Sequence, residues 1–312
     1  MINLPILSLE KLKDIDTSEL GNDEHRRLAD VCCEHGFFYL NEHGVSSDLV
    51  QQTIDASRRF FQLPLEIKQN YGQDKQFVYP KSSRGYIPAY GEILHPETGP
   101  DLKEIFDLGI ERPPSEKPFT GQNLIPDDSV ASDFKRFHYQ LQKEILEQVV
   151  PPLLRAFAIA LNQGSDWLVP YFDDPILIQR TIYYPSECGT AGKHTDNGIF
   201  TILIQEYFPT PSLRIYTKNA WIDAECIEDA FVINLGDMLQ FWTNKLFRST
   251  PHAVIHKLPC SRVSIPFFIY PNIDSTIKPI GTKKEFNSTD IMLKNFDSIW
   301  VKKSGAGRAK EL

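Results

Sequence analysis

The stretch "KHTDNGIFTILIQ", Lys193 to Gln205, sets a histidine and an aspartate two residues apart at the head of an apolar run rich in β-branched residues. On a strand, side chains at i and i+2 share a face, so His194 and Asp196 can converge on one point while Thr195 faces away. A third ligand is offered by His252 in "STPHAVIH", far enough downstream for the chain to leave the mouth of a small sheet and return on another strand. Two histidines and a carboxylate on one face of an octahedral ion leave three positions open, the arrangement associated with non-haem Fe(II) and oxygen. A lone H-x-D is more often a strand-end histidine in an ordinary hydrogen bond. "RVSIPFF" shifts the balance. Arg262 and Ser264 are again i and i+2, and their guanidinium and hydroxyl donors can together hold a carboxylate. The apolar residues that follow make a wholly exposed strand a poor alternative.

Elements able to position these groups can be read along the chain. After a possible cap at Asn22, Leu28, Val31 and Cys32 recur at helical spacing, and Gly36 stops that helix before a strand from Phe37. A second helix is expected after Ser46 or Ser47, turning Leu49, Val50, Ile54 and Phe61 inward until Pro64. From Ser129 a long stripe of Phe134, Phe137, Leu141, Ile145 and Val149 predicts a spine helix, kinked by Pro151 and Pro152 and closed by Gly164. Short strand-like runs then follow: "ILIQRTIYYP", "GIFTILIQEY", "LRIYTK", "AFVINLG", "MLQFWTN", "HAVIHKL" and "RVSIPFFIYP". Residues 1–165 therefore read as a mainly helical N-terminal part, 176–270 as an all-β core of sandwich or jelly-roll type, and 271–312 as a C-terminal extension. With no linker or repeat between them, one domain over 1–312 is expected.

Composition narrows the partners. A chain of 312 residues with 41% hydrophobic residues can bury a sizeable core. The net charge of -8, without a long basic stretch, argues against nucleic acid and leaves small molecules as the expected partner. No apolar run reaches the length of a membrane span, and the N-terminus lacks a signal-peptide pattern, so a cytoplasmic monomer is expected. Five cysteines without C-x-x-C spacing suggest buried thiols rather than disulfides or a zinc knuckle. The tail "SGAGRAKEL" has the composition of a mobile linker.

Seven blocks, in order, carry a wider likeness. "CCEHGFFYLNEHGV", "RRFFQLPLEIK", "SRGYIPAYGE" and "DLKEIFDLG" precede "HTDNGIFTILIQ", "VINLGDMLQFWTNKLFRSTPHAV" and "RVSIPFF". The likeness covers nearly the whole chain. The sequence thereby resembles the isopenicillin N synthase-like family of non-haem Fe(II), 2-oxoglutarate-dependent oxygenases. That resemblance implies a double-stranded β-helix core, with His194, Asp196 and His252 binding iron. It also implies that Arg262 and Ser264 grip the distal carboxylate of 2-oxoglutarate. Tyr184 in "IYYP" matches a tyrosine that often supports the same carboxylate, with a core aromatic as the alternative. Asn234, Gly236 and Asp237 in "NLGD" are expected to form a structural turn, and Trp242 to pack in the core. Three departures bear on pocket shape and leave the triad untouched. Ala253 follows the second iron histidine where arginine is common, "SLRIY" replaces a common "GLQV", and Ile182 stands where many members have asparagine.

The resemblance further implies an enzyme using Fe(II), 2-oxoglutarate and O2, in which decarboxylation to succinate accompanies oxidation of a substrate by hydroxylation, desaturation or ring closure. Two alternatives stay open: an oxidase or cyclase of the same fold that uses no 2-oxoglutarate, and a ligand-binding or interaction protein that has lost catalysis. The expected substrate is a small carboxylated metabolite, derived from an amino acid or a natural product. If Tyr184 faces the iron cavity, strand period puts Ile182 and Arg180 there too, making Arg180 a candidate anchor for an anionic group. Arg84 in "SRGY" and Lys193 beside the iron histidine are further candidates. Pairing with an internal acid or exposure to solvent is the competing role for each.

Overall fold

The computed structural model describes residues 4–14, 21–73, 84–95, 97, 99–113 and 117–294. Its helices are α1 (Leu9–Lys13), α2 (Asp23–Glu34), α3 (Ser47–Phe61), α4 (Leu65–Gln69), α5 (Phe134–Glu144), α6 (Val150–Ala160) and α7 (Asp237–Trp242). The first half of the chain supplies strands β1 (Ile6–Ser8), β2 (Phe37–Asn41), β3 (Gly85–Ile87) and β4 (Glu104–Gly109). The second half supplies β5 (Pro175–Tyr184), β6 (Gly189–His194), β7 (Phe200–Gln205), β8 (Leu213–Thr217), β9 (Ala220–Ala224), β10 (Phe231–Leu235), β11 (His252–His256) and β12 (Arg262–Asn272). A small hairpin, β13 (Thr276–Ile277) with β14 (Phe286–Asn287), follows.

Helix ends follow local chemistry. The Asn22 side chain accepts the backbone N–H groups of Glu24 at 2.9 Å and His25 at 3.2 Å, satisfying donors that the first turn leaves open. Behind α2, Gly36 has φ +65, and a Cβ there would lie 2.1 Å from the Arg248 carbonyl oxygen, so the turn into β2 requires glycine. Pro151 and Pro152 do not break the spine helix. A π-helical turn at Ile145–Val149 takes up the slack, and the prolines fall in the first turn of α6, where a missing N–H costs least.

Two sheets form the core of a double-stranded β-helix. The larger has the order β1-β2-β10-β7-β12-β5-β4-β3 and the smaller the order β6-β11-β8-β9. Strand period sorts side chains between two apolar layers. In β2, Phe38 and Leu40 pack with the helices while Phe37 and Tyr39 point between the sheets. Each fully buried side chain of this size contributes about 1.5–3 kcal/mol. The N-terminal part is less purely helical than its sequence suggests, because four of its strands extend the larger sheet at both edges. "MLQFWTN" is likewise not a strand. Its apolar residues Met238, Leu239 and Trp242 sit at helical spacing and are buried as α7, whose first turn closes with the Gln240 N–H on the Gly236 carbonyl. Trp242 lies in the core, as expected. The "SGAGRAKEL" tail lies outside the described residues.

Gly236 joins β10 to α7 at a point where the backbones touch. A Cβ at that position would stand 2.1 Å from the Gly198 carbonyl oxygen and 2.9 Å from that of Asp196. Gly236→Ala is therefore expected to destabilise the protein by about 1–3 kcal/mol or more, as overpacking does. Chemical denaturation should show the loss, and a parent-like midpoint would mean that the junction yields at no cost.

Candidate iron and cosubstrate site

His194 is the last residue of β6 and His252 the first of β11, and the antiparallel register sets them opposite each other. Asp196 is not on their strand. It lies in the turn between β6 and β7, where its carbonyl accepts the Asp237 N–H at 2.7 Å, so a chain reversal brings it beside His194 rather than strand alternation. The ligand atoms of the three residues lie within 4.8 Å of one another. Each imidazole Nε2 is 3.8 Å from the same oxygen, Oδ1 of Asp196.

Backbone carbonyls orient both rings. His194 Nδ1 donates to the Gly192 oxygen at 2.7 Å and His252 Nδ1 to the Thr250 oxygen at 3.2 Å, a pairing that places the hydrogen on Nδ1 and the lone pair on Nε2. Phe37 packs edge-on against the His252 ring. Burial, reinforced by His252, pushes the His194 pKa down to about 3 and so keeps a neutral imidazole available to a cation. For Asp196, burial favours the neutral acid. The facing His252 and His194, with hydrogen bonds from Asn234 and Thr201, outweigh it and hold the carboxyl below its ordinary range. Those bonds, Thr201 Oγ1 at 2.6 Å and Asn234 Nδ2 at 2.7 Å, both end on Oδ2, leaving Oδ1 toward the histidines. Asn234 thus lies on β10, not in the turn expected for it, and serves the carboxylate instead. Two imidazole Nε2 atoms and one carboxylate oxygen suit a divalent transition metal.

The triad opens into a cavity of about 130 Å³ between the sheets. Alternate residues of β12 line one wall: Arg262, Ser264, Pro266, Phe268 and Tyr270. Alternate residues of β5 line the next, and here Tyr184, Ile182 and Arg180 share a face as strand period predicts. Arg262 pairs in register with Tyr184, and its guanidinium lies 5.1 Å from that ring's centre. It is 1% exposed, donates Nη2 to Gln205 Oε1 at 3.2 Å, and leaves Nη1 without a hydrogen-bond partner among the described residues. A buried cation with an unused donor calls for an anion, and a carboxylate fits both Nη1 and the adjacent Ser264 hydroxyl.

The three cations considered for an anionic substrate are placed differently. Arg180 does face the cavity, but Nε and Nη2 each meet an oxygen of Asp107 at 2.8 Å, and Nη1 lies 3.1 Å from Glu92. Burial opposes its charge, and Asp107 and Glu92 more than restore it. Arg84 is buried elsewhere, donating to Asn123 at 2.7 Å and to the Ile110 and Phe119 carbonyls, so it braces a loop rather than a ligand. Lys193 is exposed and lies over the Tyr216 ring, because the residue before His194 points to the opposite face of β6.

Several lining residues have no counterpart among the sequence-based candidates. Phe268 and Tyr270 continue the alternation that Arg262 and Ser264 begin, so extending the period would have found them. Burial first, then the Asp196 charge, raises the Tyr270 phenol well above its ordinary range, so it enters the cavity protonated. Glu92 and Lys103 arrive from the segment between β3 and β4, and only the tertiary fold reveals them.

Comparison with known proteins places the chain in a family. Residues 4–128 match the family described as non-haem dioxygenase in morphine synthesis N-terminal, and residues 175–271 match the 2OG-Fe(II) oxygenase superfamily. A homoarginine-6-hydroxylase of Oryza sativa subsp. japonica is 31% identical, covering 90% of each chain. The chain belongs to the 2OG-Fe(II) oxygenase superfamily. A probable iron/ascorbate oxidoreductase of Dictyostelium discoideum is another relative of this oxygenase, 30% identical over 86% of this chain and 84% of the other. The fold matches that of the full-length Neurospora crassa protein crystallised with alpha-KG and thymine. That pair has a TM-score of 0.80 and 24% identity, covering 95% of this chain and 96% of the other.

Two measurements test the site. Asn234→Ala should weaken Fe(II) or Co(II) binding about 10–100-fold, the usual cost of losing an outer partner of a metal ligand, and anaerobic calorimetry would read it. Arg180→Met, which breaks a buried ion cluster, should cost about 3–5 kcal/mol in denaturant unfolding. Parent-like stability with a selective loss of substrate oxidation would instead return Arg180 to the role of substrate anchor.

Proposed function

We propose that His194, Asp196 and His252 hold the Fe(II) of this 2-oxoglutarate-dependent oxygenase. Arg262 and Ser264 then receive the distal carboxylate of 2-oxoglutarate above the Tyr184 ring, and the bound substrate is a small polar metabolite. The observation that carries the reading is the pairing of a three-ligand cluster with a buried, half-used guanidinium on the next strand wall of one cavity.

When bound, Fe(II) with 2-oxoglutarate and O2 supplies the oxidising chemistry, and the protein's share is orientation and exclusion of water. His194 and His252 present lone pairs fixed by backbone carbonyls. Asp196 presents one oxygen while Thr201 and Asn234 occupy the other. Arg262 places the cosubstrate by its far end, so the near end falls toward the triad. Phe37, Leu94, Ile182, Leu203 and Phe268 give the remaining cavity an apolar lining around the polar wall of Glu92, Arg180 and Tyr270.

The substrate is read as amino-acid-derived or a related natural product, oxidised at a carbon turned toward the triad. In support, the cavity is small and mixes apolar with hydrogen-bonding side chains, and one relative is named for hydroxylation of homoarginine. A carboxylate on that substrate loses Arg84 and Lys193 as anchors, and the charge of Arg180 is already matched.

A screen of amino acids and their derivatives, scored by O2 uptake coupled to succinate release, tests the whole reading, and O2 uptake without succinate would overturn it. Arg262→Lys should raise the 2-oxoglutarate requirement sharply with metal affinity kept, because lysine lacks the planar donor fork. Ser264→Ala should cost about 10- to 150-fold in 2-oxoglutarate affinity, as expected for losing about 1.5–3 kcal/mol at a charged acceptor. An unchanged cosubstrate requirement in the arginine variant would remove that residue from the cosubstrate site.

A further inference from the structure

Asp101 lies at the joint between the segment from Glu92 to Lys103 and the iron-bearing strand. It is 2% exposed, and its two carboxylate oxygens are divided between the two sides of that joint. Oδ1 accepts the Gly192 N–H on β6 at 2.7 Å. Oδ2 accepts the Leu94 N–H at 3.1 Å and lies 3.4 Å from Lys103 Nζ. The residue whose N–H it meets is also the one whose carbonyl oxygen receives His194 Nδ1 at 2.7 Å, so the two bonds grip the two peptide planes on either side of the Gly192 Cα. Residue 192 is thus held at its N–H by Asp101 and at its carbonyl by the iron-ligating imidazole. Gly192 lies on β6 opposite the register shift between His252 and Val254, where the strand pairing is irregular, so these two bonds add to that pairing in holding the local backbone.

We propose that Asp101 is a positioning residue of the iron centre, fixing His194 through residue 192 while holding the Glu92 and Leu94 wall of the cavity in register with it. The proposal rests on His194 being an iron ligand. Three features support a role beyond packing. A buried carboxylate is costly, and a neutral asparagine could fill nearly the same volume, so the second accepting oxygen and the charge have a use. The Asp101 N–H donates to the Glu92 carbonyl at 2.9 Å, so one residue closes the cavity wall on itself and onto β6. The same joint already has ordinary ties, Thr190 N–H to the Leu102 carbonyl and Leu102 N–H to Thr190 Oγ1, both at 3.1 Å, which could keep the strands together without a carboxylate.

The experiment is a Co(II) titration of the full chain, read by calorimetry and by the visible absorption of the bound ion, with apo-protein unfolding measured alongside. Asp101→Ala should weaken Co(II) binding about 10–100-fold and alter the absorption spectrum. Asp101→Asn keeps one oxygen for the Gly192 N–H and should recover part of that loss. Thr190→Val loosens the same joint without touching residue 192 and should bind Co(II) like the parent. Parent-like affinity and spectrum in folded Asp101→Ala would overturn the proposal, as would a Thr190→Val variant that loses affinity equally. Should the alanine variant fail to fold, the asparagine variant decides: a several-fold loss supports the role and a parent-like titration overturns it. A parent protein that binds no Co(II) would overturn the iron-site reading itself, and this proposal with it.

Discussion

Asp196 carries a negative charge into a wall that water scarcely reaches, and much of the local architecture serves to make that charge tolerable. An isolated buried carboxylate would take up a proton and cease to be a ligand. Here Thr201 on β7 and Asn234 on β10 both donate to Oδ2, so two neighbouring strands of the larger sheet must be in register before the acid can ionise. The register in turn depends on close backbone contact around Gly198 and Gly236, where side chains would collide with carbonyl oxygens. Fixing Oδ2 fixes Oδ1 as well, since the carboxylate is planar, and Oδ1 is the oxygen both imidazoles face. The smaller sheet then has one task, to set His194 opposite His252, which its antiparallel pairing performs.

The same arithmetic of buried charge separates the two arginines in the cavity. Both lie on strands of the larger sheet and both point inward. Arg180 meets Asp107, which is fully buried, through two parallel bonds, and Glu92 takes a third donor. Arg262 meets only the neutral Gln205 among the described residues, with a ring face beneath it. A guanidinium whose charge is matched within the protein is part of the wall. One that meets no acid among the described residues and whose Nη1 is idle is the one we propose to receive the cosubstrate carboxylate. Residue type and strand period are identical for the two, so the distinction rests on which acids the fold brings near.

That distinction also marks the limit of what the chain's text conveys. The Arg262 and Ser264 pair and the shared face of Tyr184, Ile182 and Arg180 follow from strand period, and the three members of the triad are named by residue type and spacing although strand period does not place Asp196. The caps at Asn22 and Ser46 and the helices behind them follow from local hydrogen-bond chemistry. "MLQFWTN" misleads because a short apolar run fits a strand or a buried helix equally well, and only the Gly236 junction decides it. Placing His194 and Asp196 on one strand errs for a related reason: two residues apart satisfies a strand face and a chain reversal alike. Arg84 and Lys193 mislead because a cation's partner is a tertiary fact. Asp107, Glu92 and Asp101 lie some 70 to 90 residues before the groups they hold, and no local pattern encodes that meeting.

Distance in sequence divides the labour within the cavity. Every residue proposed to touch iron or 2-oxoglutarate comes from β5, β6, β11, β12 or the turn after β6. The wall carrying Glu92, Leu94 and Lys103 comes from the segment between β3 and β4, laid across the core from the N-terminal half. The metal and cosubstrate are chemically fixed and need a rigid frame, which paired strands provide. A substrate wall built on an irregular segment can change in sequence without disturbing that frame, provided its anchorage survives. The anchorage here is ionic and hydrogen-bonded rather than apolar: Arg180 to Glu92 and Asp107, Lys103 to Glu92 and Asp101, and Asp101 to the Gly192 N–H. Because those bonds are directional, they hold the wall at a set position relative to the iron ligands, which apolar packing alone would leave freer to slide.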